Sequence, residues 1–255
     1  MKNFNYYTPT EIVFGNDSES KIGYLVRRYE GTKVLIHYGG KSAERSGLLN
    51  DICRQLDAEG ILYVKLGGVV PNPRLSKVYE GIELCRKEGV NHILAIGGGS
   101  VIDSAKAIAY GLAYDGDVWD LFDGKAEAKA CYPIGVVLTI PAAGSEMSNG
   151  CVITNEVGSR KRAYNNDLAR PKFAIMNPER TFSLSTYQTA CGIVDIMMHT
   201  MERYFSQEDD MILTDELAES LLRTVKNSAY KVMLTPEDYR HLSLIHISEP
   251  TRPEP

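Results

Sequence analysis

The hydrophobic and polar positions along the first 140 residues predict helices and strands in alternation. Apolar residues at helical spacing indicate helices near residues 22–29, 48–56, 75–88 and from about 100 to 112. Short, continuous apolar runs bounded by turn residues indicate buried strands at 33–38, 62–66, 92–96 and 133–140. Strands that alternate with helices of this length predict a parallel sheet covered by helices and joined by right-handed crossovers.

The pattern changes in the second half of the chain. Short alternating segments between residues 150 and 176, with the turn Glu156-Val157-Gly158-Ser159, predict a β-hairpin that lies on the sheet layer. Beyond Asn177-Pro178, two long helical patterns occupy about 185–205 and 211–234, and no strand is predicted there. We therefore expect an α/β domain at residues 1–178, followed by the start of an all-helical domain at 179–241.

The last residues interrupt this pattern. Thr235-Pro236-Glu237-Asp238 predicts a helix start, with a capping threonine and proline at the first helical position, yet three prolines fall within residues 250–255. Residues 242–252 also resemble the translation of a transposon-end adapter used in the preparation of DNA libraries. We therefore expect residues 242–255 to be non-native and the helical domain to be truncated.

Composition excludes several classes of function. The 255 residues are 44% hydrophobic and 24% charged, as in soluble globular proteins, and a formal net charge of -5 argues against a nucleic-acid partner. The chain starts without an apolar secretory segment, and its longest mainly apolar run, 132–144, is shorter than the roughly 20 residues that cross a bilayer. Five scattered cysteines without a CxxC pair favour reduced thiols and a cytoplasmic location.

A glycine-rich turn, Gly97-Gly98-Gly99-Ser100, stands between a predicted strand and a predicted helix. Glycines let the backbone approach a pyrophosphate closely, and the amide groups at a helix N-terminus point towards its charge. The turn lacks the third glycine of GxGxxG, so it is not the usual dinucleotide fingerprint. The alternative is a tight turn in which Ser100 and Asp103 only form a capping box.

A second candidate segment follows the strand at 33–38. Dinucleotide-binding folds that are specific for NAD often place an acid near such a strand end, where it meets the ribose. Here the residues are Gly39, Gly40, Lys41 and Ser42, with no carboxylate to repel a ribose phosphate and with two side chains able to bind one. The segment favours NADP(H) over NAD(H); the alternative is an ordinary glycine turn with a solvated lysine.

The candidate metal ligands are Asp195 and His199, which lie four residues apart and hence on one face of a helix. A carboxylate and an imidazole can together bind a divalent cation, although such a pair is more often a hydrogen-bonded couple. Apolar neighbours indicate a buried helix, in which an unpartnered carboxylate is costly. Two ligands do not complete a catalytic site. His37 and His92 belong to predicted strands, and we expect structural roles for them.

Four motifs in consistent order resemble those of iron-containing alcohol dehydrogenases, most nearly the NADP(H)-dependent butanol dehydrogenases and broad aldehyde reductases. They are GGGSVIDSAK (97–106), IPAAGSEMSNGCVITN (140–155), RPKFAIMNPE (170–179) and GIVDIMMHTMERYF (192–205), and the likeness extends to about residue 240. The resemblance implies a dehydroquinate-synthase-like, Rossmann-type α/β domain followed by a helical metal-binding domain, with the active site in the cleft between them.

The resemblance also implies roles for individual residues. The pyrophosphate would rest on Gly97, Gly98, Gly99 and Ser100 with Asp103 beside the cofactor, and the adenosine ribose would lie near Gly39, Gly40 and Ser42. The rest of the cofactor site would comprise Leu138, Thr139, Ser145, Asn149 and Lys161. Asp195 and His199 match the first two of the family's four ligands for Fe²⁺ or Zn²⁺, and the two later histidines have no match in this sequence.

The implied reaction is reversible hydride transfer between a nicotinamide dinucleotide and a small primary alcohol or aldehyde. Because two metal ligands are unmatched, we expect this chain to be nearly inactive. Alternatives are a glycerol dehydrogenase-like or dehydroquinate synthase-like enzyme on the same fold, and a metal-free nucleotide-binding remnant. Methionines around the metal pair favour an apolar aldehyde over a phosphorylated acid, and an exposed first strand suggests a homodimer.

Overall fold

The structure is a computed structural model that describes residues 7–205 and 211–248. In this part of the chain, the strands are β1 (Glu11–Phe14), β2 (Lys33–Tyr38), β3 (Leu62–Leu66), β4 (His92–Gly97), β5 (Ile134–Leu138), β6 (Gly150–Asn155), β7 (Arg160–Asn165) and β8 (Phe173–Met176). The α-helices are α1 (Ile22–Arg28), α2 (Ser42–Arg45), α3 (Leu48–Ala58), α4 (Leu75–Glu88), α5 (Gly99–Ala113), α6 (Trp119–Phe122), α7 (Thr186–Tyr204), α8 (Ile212–Leu234) and α9 (Tyr239–Ser248). Short 3₁₀ turns precede α1, β8 and α7.

Six strands form a parallel sheet in the order β1-β8-β5-β4-β2-β3, as the alternating pattern predicts. Every residue of β4 and β5 is buried, because helices cover both faces of a parallel sheet. The sequence pattern did not predict β8, which inserts between β1 and β5. The four apolar residues of β8 follow the hairpin closely and do not alternate with polar residues. The local sequence pattern therefore could not distinguish this strand from the hairpin.

Two hydrophobic clusters lie on the two sides of this sheet. One is formed mainly by α4 and α5, and the other by α1 and α3. Helix α5 is the central helix, since ten of its residues are buried. The predicted hairpin is confirmed: β6 and β7 pair antiparallel, and Cys151 and Ile153 of β6 pack into the cluster around α5.

Beyond β8, the described residues form helices and 3₁₀ turns only. Helices α7, α8 and α9 enclose a third, smaller cluster that includes Ile196, Val225 and Ile245. Helix α9 does not begin at the predicted cap: the Thr235 amide still donates to Lys231 O of α8, and the Asp238 side chain accepts from the His241 amide at 3.2 Å. No helix within 7–205 or 211–248 combines the length and apolar character needed to cross a membrane.

Part of the predicted non-native tail lies in α9. Residues 242–248 are helical, and Leu242 and Ile245 pack into the third cluster. Residues 249–255 lie outside the described residues. The non-native origin of 242–255 and the boundary after residue 178 stay predictions.

The strand order brings the carboxyl ends of β2, β4 and β5 side by side. Along the chain, β2 leads to β3 on one side of the sheet, whereas β4 leads to β5 on the other. Ligands of open α/β sheets bind outside the carboxyl ends of the strands at such a switch point. Both glycine segments singled out in the sequence follow strands that meet there.

Candidate functional site

The three neighbouring strand ends bring several of the predicted cofactor residues together. Gly39 follows β2, Gly97 ends β4, and Leu138 pairs with Gly97 at the end of β5. The amide of Thr139 donates to Gly97 O at 3.1 Å. A Cβ on Gly39 would lie 3.6 Å from a Val101 methyl group in the first turn of α5, so the two glycine segments adjoin each other.

The turn at Gly97–Gly99, which we call the glycine corner, requires glycine for close packing and not for backbone angles. Gly98 has φ -94° and ψ -167°, an extended conformation open to any residue. A Cβ on Gly97 would lie 2.5 Å from a Val101 methyl group, and a Cβ on Gly98 would lie 2.4 Å from Ile140 Cγ2. The loop at 140–143 therefore packs directly on the corner, and side chains at Gly97 or Gly98 would clash with their neighbours.

The alternative that Ser100 and Asp103 form a capping box is wrong. Gly98 caps α5 without a side-chain hydrogen bond, and Ser100 lies in the first turn, partly exposed. Asp103 Oδ1 accepts from Ser145 Oγ at 2.6 Å, and Oδ2 accepts from the Val152 amide at 3.0 Å. Burial raises the pKa of Asp103, and the nearby Lys106 charge opposes that shift. Asp103 thus ties α5 to the segment at 145–152.

Lys106 belongs to the same network, and the sequence did not predict it as a site residue. Its side chain is fully buried, and Nζ donates to Ser148 O at 2.7 Å and to Gly150 O at 2.9 Å. Burial lowers the pKa of Lys106, against the effect of Asp103. No local pattern distinguishes this lysine from a solvated one, because its partners lie some forty residues further along the chain.

Asn149 and Lys161 lie at the edge of this arrangement. Asn149 is on the segment held by Lys106, and its Nδ2 donates to Asp167 Oδ1 at 3.1 Å. Lys161 is on β7, and its Nζ donates to Asn72 Oδ1, in the loop after β3, at 2.7 Å. Lys161 is close enough to Asp103 to act against the rise in that carboxyl's pKa. The structure therefore places Asn149 in the segment just before the hairpin and Lys161 on the second strand of the hairpin.

The end of β2 differs from the expectation in one respect. Gly40, Lys41 and Ser42 are exposed, and Ser42 begins the short helix α2, which the sequence pattern did not predict. This helix brings Glu44 back to the strand end, where the Tyr38 hydroxyl donates to Glu44 Oε1 at 2.9 Å. Burial and this hydrogen bond raise the pKa of Tyr38. A carboxylate from Glu44 therefore lies at the end of β2, although Gly39, Gly40, Lys41 and Ser42 include none.

The predicted metal pair lies on one face of α7, with Asp195 Oδ1 3.8 Å from His199 Nε2. The side chains are 45% and 29% exposed, so the helix is less buried around them than its apolar neighbours suggested; Val194 and Met198 face outward. One hard oxygen and one borderline nitrogen donor suit a divalent cation such as Fe²⁺ or Zn²⁺. Within the described residues, no group of three or more His, Cys, Asp or Glu could hold a metal ion.

An open pocket of about 520 Å³ lies between the loop after β5 and helix α7. Ile140 and Ala142 line it from the loop that touches the glycine corner, and α7 contributes Tyr187, Cys191, Val194, Asp195 and Met198. A Cβ on Gly192 would lie 2.7 Å from Pro141 O, so α7 packs on this same loop. The loop at 140–143 therefore touches the glycine corner on one side and the helix of the metal pair on the other.

The histidines of the sheet have structural positions, as expected. His37 hydrogen-bonds through Nδ1 to Leu66 O and through Nε2 to Ser104 Oγ, at 3.0 and 2.9 Å. His92 is buried against the ring of Phe173. Burial lowers the pKa of both imidazoles to about 4, so both are neutral at physiological pH.

The profile of one protein family, described as iron-containing alcohol dehydrogenase, matches residues 9–178. The probable NADH-dependent butanol dehydrogenase 2 of Bacillus subtilis is 43% identical over 239 residues, which cover 94% of this chain and 61% of that protein. The NADPH-dependent aldehyde reductase YqhD of Escherichia coli is 36% identical over 243 residues, covering 94% and 62%.

Among solved structures, NADH-dependent butanol dehydrogenase A from Thermotoga maritima superposes with a TM-score of 0.95 at 40% sequence identity. The superposition covers 98% of this chain and 63% of that one. The chain thus spans less than two thirds of the length of the proteins that it matches.

Proposed function

Because the chain belongs to the iron-containing alcohol dehydrogenase family, we propose that it serves reversible hydride transfer between a nicotinamide dinucleotide and a primary alcohol or aldehyde. One observation carries the proposal: the loop at 140–143 packs on the glycine corner and lines a cavity that Asp195 also lines. Hydride transfer requires a nicotinamide ring to lie against a carbonyl carbon. The proposal is supported by this open pocket, because it places the candidate ligand Asp195 beside the loop that packs on the glycine corner.

The dinucleotide's pyrophosphate would lie at Gly97, Gly98, Gly99 and Ser100. The first amide groups of a helix have no carbonyl partner within it, so the start of α5 offers donors and a favourable dipole to a phosphate. Gly39, Gly40 and Ser42 would face the adenosine ribose, because their strand end adjoins the corner. The remaining contacts would come from residues near the start of α5, at the end of β5, in the segment before the hairpin and on the hairpin itself: Asp103, Leu138, Thr139, Ser145, Asn149 and Lys161.

Asp195 and His199 would hold the divalent cation, Fe²⁺ or Zn²⁺. When bound, a cation supplies Lewis-acid chemistry that polarises a carbonyl oxygen or stabilises an alkoxide, and the dinucleotide supplies the hydride. The apolar side chains of Ile140, Val194 and Met198 in this lining would accept a short alkyl chain. Because a catalytic cation usually needs three protein ligands, we expect weak metal binding and little turnover from this chain.

The preference for NADP(H) over NAD(H) rests on Lys41 and Ser42. Both side chains are exposed beside the glycines, which supports a phosphate contact, whereas the carboxylate of Glu44 opposes it. The relatives include a protein named as NADH-dependent and one named as NADPH-dependent. The proposal therefore covers both dinucleotides, and the NADP(H) preference stays a prediction.

Location and assembly are further proposals. All five cysteines are free, which supports a reducing compartment such as the cytoplasm. Strand β1 pairs with β8 on one side and forms one edge of the sheet. An unpaired edge strand can pair with a second copy of the chain, which supports a homodimer.

The test is a titration of the purified chain with NADH and with NADPH, followed by the change in dinucleotide fluorescence. We expect saturable binding of at least one dinucleotide, and slow reduction of butanal that depends on added Fe²⁺ or Zn²⁺. Faster turnover with glycerol than with butanol would favour the glycerol dehydrogenase-like alternative. Dinucleotide binding without any effect of metal would favour the nucleotide-binding remnant, and the absence of binding would refute the proposal.

A further inference from the structure

Lys106 is a fully buried cation whose contacts converge on one short segment. Its Nζ donates to Ser148 O and Gly150 O, and lies 3.2 Å from Ser148 Oγ and 3.4 Å from Ser145 Oγ. An ammonium group has three hydrogens, so two serve the carbonyls and the third is shared between the hydroxyls. Removing a charge from water costs several kcal/mol unless it is well paired, and here the segment at 145–150 supplies the pairing.

The hydrogen bonds around Ser145 have a fixed direction. A protonated lysine can only donate and an ionised carboxylate can only accept. The Ser145 hydroxyl therefore accepts from Lys106 and donates its single hydrogen to Asp103 Oδ1, at 2.6 Å. A cofactor group that reaches Ser145 Oγ meets an acceptor, because the hydrogen is already engaged.

The held segment continues the loop that forms the wall of the cavity. Ile140 and Ala142 line the cavity, and the chain then turns at Gly144, whose φ of +63° suits glycine. The amides of Met147 and Ser148 return to Gly144 O, at 3.2 and 3.1 Å. A shift of residues 145–150 would therefore move the wall that packs against the glycine corner.

We propose that Lys106 is a positioning residue for the dinucleotide site. It acts through Ser145 and the segment at 145–150 and does not itself touch the cofactor. Helix α5 carries the glycine corner at its start and Lys106 nearly two turns later, so one rigid element places the phosphate site and the cavity wall together. The proposal rests on the proposed function, since it concerns the same dinucleotide.

The test compares dissociation constants of NADH and NADPH for the unchanged chain, Lys106→Met and Tyr110→Phe. Tyr110 lies one turn further along the same face of α5, and its hydroxyl donates to Asn166 O at 3.0 Å. It is the matched control, because it too joins α5 to a neighbouring segment by a hydrogen bond. Fluorescence titrations are made at a temperature where circular dichroism shows every variant to be folded. We expect Lys106→Met to weaken binding about tenfold or more, as expected when charge-assisted hydrogen bonds are lost. Tyr110→Phe should stay within about twofold of the unchanged chain.

A second variant covers the case in which Lys106→Met does not fold. Lys106→Gln retains two donors but loses the charge, and we expect an intermediate loss of affinity together with a red shift in the emission of bound NADH. Lower thermal stability of the Lys106 variants with unchanged dissociation constants would show a merely structural lysine and overturn this proposal alone. If the unchanged chain bound neither dinucleotide, both this proposal and the proposed function would be overturned.

Discussion

The glycine corner and helix α7, which carries Asp195 and His199, border the same loop, yet their surroundings differ. Around the corner, both oxygens of Asp103 accept hydrogen bonds and Lys106 is fully buried among its partners. On α7, the two candidate ligands are partly exposed and lie 3.8 Å apart. The candidate dinucleotide site is therefore held by hydrogen bonds within the chain, whereas the two candidate metal ligands are joined only by a long contact.

This difference follows from the parts that each site uses. A phosphate site at a strand–helix turn is made mainly from backbone, so a few consecutive residues and their packing complete it. A cation site needs side-chain donors that converge from several elements. Within the described residues no group of three or more such donors comes together, and α7 presents two candidate ligands at a spacing of four.

The largest expected effect is a loss of stability of the α/β region in acid. His37 and His92 have a pKa of about 4 when folded and about 6.5 when unfolded, so the unfolded chain binds protons more tightly. Their contribution to stability is complete above pH 6.5 and is lost as the pH falls towards 4. From pH 7 to 5 we expect a loss of about 2 kcal/mol for each imidazole. Urea unfolding followed by the emission of Trp119, the single tryptophan, measures it.

The control is His92→Phe, which keeps a ring beside Phe173 but removes one titrating group. It should reduce the pH dependence by about the share of one imidazole, on the order of 2 kcal/mol. An unchanged pH dependence would mean that His92 is not neutral and buried in the folded chain.

The next prediction concerns the glycine corner and tests whether its conformation depends on close packing against the loop at 140–143. Gly98→Ala places a Cβ 2.4 Å from Ile140 Cγ2, and we expect a loss of about 1–3 kcal/mol in stability with weaker dinucleotide binding. Gly98→Ala combined with Ile140→Ala removes the clashing methyl group and should recover much of the stability. Gly40→Ala, which meets no atom within 4 Å, serves as the control for stability alone. Equal losses in the single and the double variant would contradict the packing explanation.

A smaller effect concerns the end of β2. Glu44→Lys removes the carboxylate held by Tyr38 and adds a cation beside Lys41 and Ser42. We expect the ratio of NADH to NADPH dissociation constants to rise by about fivefold, since a favourable ion pair with a ribose phosphate contributes on the order of 1 kcal/mol at a partly exposed site. Fluorescence titration of both dinucleotides measures the ratio. If the variant and the unchanged chain had the same ratio, Glu44 would not contribute to the choice between the two dinucleotides.

The smallest effect is expected at the metal pair. With two donors and partial exposure, added Zn²⁺ should raise the stability by less than about 1 kcal/mol at concentrations near its dissociation constant. Asp195→Asn should abolish that shift, while Glu202→Gln, an acid on the same helix, should preserve it. Calorimetry with and without metal measures the shift. A large, saturable stabilisation by Zn²⁺ would show that more ligands converge on the cation than Asp195 and His199.

Much of the fold could be predicted because it depends on local periodicity. The sheet strands β2 to β5, the helices α4 and α5 and the hairpin have patterns of their own, and the spacing of Asp195 and His199 is a helical property. Strand β8 and helix α2 were missed, since four residues are too few to show a period. The exposure of Asp195 was misjudged, because the helix buries only one of its faces.

The sequence by itself determined the parallel α/β layer, the position of the glycine corner and the pairing of Asp195 with His199, because each follows from spacing along a single strand or helix. Only the tertiary structure decided that Asp103 bonds to Ser145 and Val152, that Lys106 holds the segment after the cavity loop, and that Glu44 returns to Tyr38. Those contacts depend on strand order and on how loops cross the sheet edge. Hydrogen bonds between segments that are distant in the sequence produce no periodic pattern of residues. The roles of these side chains can therefore be recognised only when the segments are packed together.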